Sequence, residues 1–327
     1  MVRLQARHES WPIAGSFTIS RGSKTSAEVV VVELRAGKHA GWGECVPYTR
    51  YGETVDTVLE TLRGLKDEVA DGMTRADLQD RLPPGAARNA LDCAFWDLEA
   101  KRAGKRAWSL AGLRSAPKPI VTAYTISLGT AESMAKAAAA NAARPLFKLK
   151  LTGKGDVDRV AAVRKAAPQS RLIVDANEAW TPDMVAPYLE EMAKLGVAMV
   201  EQPLPAGNDA ILSEIHRAIP VCADESAHAC SEFGDLVGKY DMINIKLDKT
   251  GGLTEAMKLK ALAEAEGMRV MVGCMLATSL AMAPAVLLAQ NVDVVDLDGP
   301  LLLTGDRDPG LTFDGSIIRP PKPDLWG

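Results

Sequence analysis

Histidine is scarce in this chain. Only four occur in 327 residues: His8, His39, His216 and His228. They are scattered, and only His228 comes soon after an apolar run. A zinc site built on imidazoles is therefore not expected. Cysteine chemistry is equally thin. Cys45, Cys93, Cys222, Cys230 and Cys274 are odd in number and far apart, with no C-x-x-C among them. They read as reduced, mostly buried thiols of a cytoplasmic protein. An excess of one charge is missing too: 38 basic residues face 42 acidic ones, a formal net charge of -4. That leaves no electrostatic footprint for nucleic acid and no polybasic cluster for a membrane surface. The opening "MVRLQARHESW" has charges and no apolar stretch, so no signal peptide is expected. One uncharged run, residues 270–292, is long enough to cross a bilayer. Gly273, Thr278, Ser279, Pro284, Gln290 and Asn291 interrupt it. We expect a buried strand and then a helix there, and no membrane partner.

What remains is a chain that is 47% hydrophobic, enough for a sizeable core. Its length suits two domains, or one barrel with an appendage. Residues 1–60 are β-rich, with strands at "AEVVVVEL" (27–34) and "GWGECVP" (41–47). "RNALDCAFWDLEAKRAGK" (88–105) carries a helical apolar stripe that stops near Gly104. The Pro-rich "GLRSAPKPI" (112–120) separates this part from the rest of the chain. After it, eight short apolar strands alternate with seven helical connections: 121–128, 146–151, 171–177, 197–203, 221–226, 242–247, 269–273 and 292–300. Alternating β and α units imply parallel strands, and eight of them imply a TIM-like barrel. The expected fold is α/β, a modified (β/α)7β barrel over 119–304 with an α+β capping domain over 1–118. The Gly-, Pro- and Asp-rich tail 305–327 is expected to return to the capping domain.

Polar residues collect at the strand ends. Lys150, Asp175, Glu201, Asp224 and Lys246 close strands two to six. They lie 25, 26, 23 and 22 residues apart, one βα unit each. In such a barrel these ends form the catalytic face. "LFKLKLTG" (146–153) fits: Lys148 and Lys150 alternate with apolar neighbours, so both face one side, here the barrel interior. Three carboxylates on adjacent strand ends repel unless a cation sits among them. Oxygen-only ligation suits a hard divalent ion, best Mg²⁺, with Mn²⁺ possible. A cation beside two lysines suits proton removal next to a carboxylate, where it stabilises the developing enediolate. As bases the lysines need depressed pKa values, which a nearby cation and partial burial favour. Strands two and six lie on opposite sides of the barrel, as a racemase or epimerase with two bases requires.

The segments "KLK" (148–150), "DAN" (175–177), "EQP" (201–203), "ADES" (223–226) and "NIKLDKTGG" (244–252) resemble the enolase superfamily, muconate lactonizing enzyme subgroup. The resemblance implies Asp175, Glu201 and Asp224 as ligands of one Mg²⁺ per subunit. It implies Lys150 and Lys246 as the acid/base pair and Lys148 as an aid to substrate carboxylate binding. "DLDGP" (296–300) is similar to the dipeptide epimerase signature, in which Asp296 and Asp298 hold an α-ammonium. By the period-two rule the two share a strand face. Thr125 joins them as a substrate contact, with Asn177 and Asp248 as supports behind the site. "ISRGSKT" (19–25) and "YTRYGET" (48–54) are similar to two capping specificity loops. Arg21 is the candidate for a distal substrate carboxylate, with Lys24 and Arg50 competing. Two departures stand out: "CMLATS" (274–279) where the family often has a Glu-Ser pair, and Asp248 at the end of strand six. The expected activity is Mg²⁺-dependent epimerisation α to a carboxylate, on a dipeptide such as L-Ala-L-Glu. An N-acylamino acid racemase, for instance on N-acetyl-glutamate, is the alternative. A cycloisomerase or o-succinylbenzoate synthase-like lyase fits less well, because the Asp296–Asp298 pair has no task there. The subgroup often forms oligomers, so a homo-oligomer acting on a small-molecule carboxylate is implied.

Overall fold

The computed structural model describes residues 1–327. Strands β1 (Arg3–Ile19) and β2 (Gly22–Ala36) form a long antiparallel hairpin, and β3 (His39–Cys45) pairs with β2. The valine run in β2 explains how this sheet joins two bodies. Val29 and Val31 face the large core shared with the barrel. Val30 and Val32 face a smaller core local to the first 100 residues. That is period-two alternation with both faces buried. Helices α1 (Val55–Gly64), α2 (Lys66–Ala70), α3 (Arg75–Arg81) and α4 (Ala86–Ala103) pack beneath the sheet, and the single turn α5 (Ala107–Leu110) comes after them. The close seat of α4 on β3 depends on Gly43, where a Cβ would lie 2.0 Å from Ala90 O. The helix ends at Gly104, φ 62°, in the left-handed conformation that glycine adopts freely.

The expected first barrel strand divides. β4 (Ile120–Val121) leaves to pair with the tail, and β5 (Tyr124–Ile126) enters the barrel. Next along the chain are α6 (Ala131–Ala140), β6 (Leu146–Lys150), α7 (Asp156–Ala166), β7 (Arg171–Asp175), α8 (Pro182–Lys194), β8 (Val197–Glu201), β9 (Val221–Ala223) and β10 (Met242–Ile245). Then come α9 (Leu247–Thr250), α10 (Leu253–Ala265), β11 (Arg269–Gly273), α11 (Ser279–Leu288) and β12 (Val294–Asp296). The order β12-β11-β10-β9-β8-β7-β6-β5 is sequential, and every neighbouring pair is parallel. The Ala123 N–H donates to Val295 O at 2.8 Å, closing first strand on last. Two expected helices are only 3-10 turns, Ala210–Ser213 and Cys230–Leu236. Pro203, Pro205 and Pro220 bound the first segment, Gly234 and Gly238 mark the second, and these residues disfavour longer helices. The uncharged run 270–292 falls on β11 and α11, and no helix is long and apolar enough to cross a membrane. In the tail, β13 (Phe313–Asp314) pairs with β14 (Ile317–Ile318), and β14 with β4. Its end docks on α4, where the buried Trp326 indole donates to Cys93 O at 3.0 Å.

Polar contacts bind α4 to the segment just after β10. Arg88 donates to Thr250 O and Gly251 O. Asp248 does not end strand six; it sits in α9. Its Oδ1 accepts from Val46 N at 3.0 Å and Asn89 Nδ2 at 2.8 Å, so its carboxyl is spent on the domain interface. Burial, with Glu53 and Glu44 nearby, pushes the Asp248 carboxyl up to about 7. A carboxyl whose folded pKa lies above its unfolded value of about 3.9 adds stability at low pH and loses it as pH rises through 7. Asp248→Asn holds that position neutral at every pH. The variant's melting temperature relative to wild type should therefore be higher at pH 8 than at pH 5. A gap that does not change with pH would refute this assignment.

Candidate active site

β6, β7 and β8 end on Lys150, Asp175 and Glu201, and Asp224 and Lys246 each lie one residue beyond their strand. Successive parallel strands in register thus bring all five to one rim. Ligand oxygens of Asp175, Glu201 and Asp224 lie within 4.8 Å of one another, and the three residues are buried. Asn244 Nδ2 donates to Glu201 Oε1 at 2.8 Å, while Glu201 Oε2 faces the Lys148 ammonium, also at 2.8 Å. Three buried carboxylates that offer only oxygens within reach of one another are the donor set a hard divalent cation takes. The residues present therefore fit such an ion.

Lysines surround the triad. Lys150 Nζ donates to Asp175 Oδ2 at 2.6 Å and Lys246 Nζ to Asp224 Oδ2 at 2.7 Å. Lys148 lies deeper, donating to Asp296 Oδ2 at 2.8 Å and standing 2.8 Å from Glu201 Oε2 as an ion pair. The electrostatics divide the carboxylates. Burial opposes ionisation of Asp224, yet Lys246 and Lys249 beside it hold it well below the usual range. Burial and the charge of Asp175 push Glu201 up to about 7. Lys246 departs from the expected direction. Burial lowers Lys246, but the facing Asp224 carboxylate outweighs it, and the ammonium is held well above its ordinary value.

Asp296 ends β12, but Asp298 lies beyond it, in the turn into a 3-10 segment. The period-two rule thus does not govern the pair. Asp298 Oδ2 accepts from Thr125 N at 2.6 Å, and Asp296 Oδ1 has no partner. Burial and the charge of Asp296 push the Asp298 carboxyl up to about 7. A cavity of about 790 Å³ lies between the rim and the capping segments, lined by Lys150, Asp224 and Lys246 below and Lys24, Arg50 and Tyr51 above. Asp296, Asp298 and Lys148 do not line it but sit behind the rim. Asn177 supports Asp175 through its N–H, at 2.9 Å from Oδ1.

Sequence reasoning missed Lys249. It is fully buried and spends its ammonium on Asp224 O, Asp224 Oδ1 and Asn244 O at 2.5, 2.7 and 2.9 Å. The signal was its i+3 spacing from Lys246, one turn onward in α9. Gln202 was missed as well. Its Oε1 accepts from the Asp224 N–H at 2.8 Å, setting the backbone of that carboxylate.

A parallel barrel with a clustered carboxylate triad and flanking lysines at its C-terminal rim defines a class: barrel enzymes equipped for cation-assisted acid/base chemistry. Residues 130–321 match the family "Enolase C-terminal domain-like", and residues 1–112 match "Mandelate racemase / muconate lactonizing enzyme, N-terminal domain". The chain belongs to the mandelate racemase/muconate lactonizing enzyme family of the enolase superfamily. It is 47% identical over 307 residues to the L-Ala-D/L-Glu epimerase of Escherichia coli (strain K12), covering 93% of this chain and 95% of that one. It is 42% identical over 301 residues to the N-acetyl-D-glutamate racemase of Pseudoalteromonas sp, covering 91% and 95%. Among solved structures it is similar to an Agrobacterium tumefaciens enolase family member with homology to dipeptide epimerases, holding sodium and L-Ala-L-Glu. That match has a TM-score of 0.98 and 54% identity over the whole of both chains. The Enterococcus faecalis V583 dipeptide epimerase, complexed with Mg and L-Leu-L-Tyr, matches with a TM-score of 0.89 at 27% identity, covering 98% of this chain and 97% of that one.

Proposed function

We propose that this protein is a Mg²⁺-dependent isomerase that epimerises the carbon α to a carboxylate, with a dipeptide of the L-Ala-L-Glu kind as substrate. The observation that carries this reading is the placement of Lys150 and Lys246 at one cavity, each against a different carboxylate of one triad. Mg²⁺ held by Asp175, Glu201 and Asp224 would stabilise enediolate charge and draw those carboxylates off the lysine ammoniums. One lysine removes the α-proton and the other returns a proton to the opposite face. Asp296 and Asp298, two buried acids behind the cavity rim, keep Asp296 Oδ1 unpartnered although Oδ2 accepts from Lys148, and they suit a cationic group such as a free α-ammonium that passes the rim. That favours a dipeptide over an N-acylated amino acid, which brings no cation. The 790 Å³ cavity is of ordinary ligand size. We place the activity in the cytoplasm, and we read the active form as a homo-oligomer from family habit.

The distal carboxylate falls to Lys24 rather than Arg21. Arg21 is already engaged: Nη1 donates to Asn177 O and Glu178 Oε2, and Nη2 to Tyr48 OH and Glu225 Oε1. Arg50 is paired with Glu178. Lys24 lines the cavity with no ion-pair partner, its ammonium 5.4 Å from the Tyr48 ring centroid. Lys24→Met should raise the KM for L-Ala-L-Glu about tenfold, a surface-cleft ion pair with a charged hydrogen bond, and leave L-Ala-L-Ala unaffected. Equal effects on both substrates would remove Lys24 from this role. The reading as a whole is tested by proton NMR of α-hydrogen exchange in D₂O with Mg²⁺. The panel holds L-Ala-L-Glu, other L-Ala-L-Xaa dipeptides, and N-acetyl-L- and D-glutamate. Exchange with inversion on dipeptides supports it. Exchange on the N-acetyl compounds alone transfers the chemistry to a racemase, as in the Pseudoalteromonas relative.

A further inference from the structure

Two capping segments roof the cavity, the β1–β2 hairpin tip and the loop 46–51. Each carries an arginine, and both arginines meet at Glu178, with Arg21 Nη2 also donating to Glu225 Oε1 at 2.6 Å. Glu178 Oε2 accepts from Arg21 Nη1 at 3.1 Å. Glu178 Oε1 accepts from Arg50 Nη2, and from Ala206 N at 2.9 Å. The Glu178 side chain is 8% exposed. One residue therefore joins four segments: both roof pieces, the loop after β7 and the loop after β8.

The backbone that presents Glu178 is strained. Asn177 and Glu178 have φ of 44° and 67°, two successive non-glycine residues in the left-handed region. Such geometry persists only where its surroundings over-determine it, and it collects at functional sites. The strained turn has contacts on both sides. Asn177 O accepts from Ser20 Oγ and Arg21 Nη1, both at 3.0 Å, from the hairpin tip. Asn177 N donates inward to Asp175 Oδ1. The loop 46–51 has further anchors on the barrel, the Val46 N–H to Asp248 Oδ1 at 3.0 Å and the Tyr51 ring against His228 at 4.6 Å.

We propose that Glu178 is the latch on which both capping segments close, a positioning residue that fixes the cavity roof and keeps Arg21 and Arg50 from the substrate. With Arg50 neutralised by Glu178 and Arg21 by Glu178 and Glu225 together, Lys24 is the one roof cation free for an incoming carboxylate. The proposal rests on the cavity being the substrate site, but its first readout needs no substrate.

The test is limited trypsin digestion of the full-length protein, with cleavage mapped by mass spectrometry. Glu178→Gln keeps the size and loses the charge. Cleavage after Arg21, Lys24 and Arg50 should rise about tenfold or more, because charge-assisted bonds are lost and cleavage tracks the open population. Sites elsewhere should keep their rates. If the Glu178–Arg50 pair is the latch, Glu178→Gln with Arg50→Gln should open the Arg21 and Lys24 sites no further than Glu178→Gln alone. On substrate, the KM should rise more than kcat falls, the mark of lost binding rather than lost chemistry. Wild-type cleavage rates in Glu178→Gln, or faster cleavage at every site alike, would overturn the latch. Faster roof cleavage with no turnover on any acid of the panel keeps the latch and sinks the substrate reading. Unchanged cleavage with intact epimerisation does the reverse.

Discussion

Lys150→Ala stops α-proton loss from one stereoisomer of the substrate, and Lys246→Ala stops it from the other. Each loss is expected at about 10²–10⁴-fold, the usual worth of a positioned acid or base. The geometry gives the asymmetry. The two ammoniums bind different carboxylates, Asp175 Oδ2 at 2.6 Å and Asp224 Oδ2 at 2.7 Å, so they approach the cavity from different strands. Both lysines line it, and both keep about 7% exposure, enough to reach a ligand. The other two lysines of the cluster are poorer candidates. Lys249 is sealed in and has all three protons engaged, and Lys148 lies behind the rim against Asp296 and Glu201. Deuterium uptake in D₂O, started separately from each stereoisomer, reads the result. If one variant silences both stereoisomers and the other silences neither, a single base works both faces and the opposed pair is wrong.

Much of this was legible in the sequence, because strand ends in a βα barrel recur at a nearly fixed interval. Lys150, Asp175, Glu201, Asp224 and Lys246 could be put on one rim by counting residues alone. What escaped depends on backbone that has no period. Asp298 sits past the end of β12, so alternation could not place it. Glu178 projects from two left-handed residues, a conformation that Asn favours weakly and Glu does not announce at all. β1 escaped because its residues face solvent over much of their length and show no clean alternation of apolar positions. The sequence also offered no way to weigh Arg21 against Lys24. A cation's availability depends on its neighbours, and Glu178 and Glu225 lie more than 150 residues away in sequence.

Glu201→Gln separates a cation site from an ordinary ion-pair network, because the two predict opposite signs. Of the triad, Glu201 is the carboxyl its surroundings disfavour most: burial and Asp175 push it to about 7, while Asp224 is held ionised by Lys246 and Lys249. Making it neutral relieves that repulsion. Its partners are not stranded, since Lys148 keeps Asp296 at 2.8 Å and a glutamine oxygen can still accept from Asn244. In the presence of a chelator the variant should therefore melt no lower than wild type at pH 8. With Mg²⁺ the order should invert. Wild type gains stability in proportion to the logarithm of free Mg²⁺ over its dissociation constant. The variant has lost one of the three charged ligands of the triad, and should bind Mg²⁺ weaker by more than the ~10–100-fold that a supporting residue costs. Epimerisation should fall with it. Melting curves with and without Mg²⁺, with calorimetric titration of the metal, decide the matter. If Glu201 were only a partner for Lys148, its neutralisation would lower the melting temperature in both conditions alike, and Mg²⁺ would not reorder the two proteins.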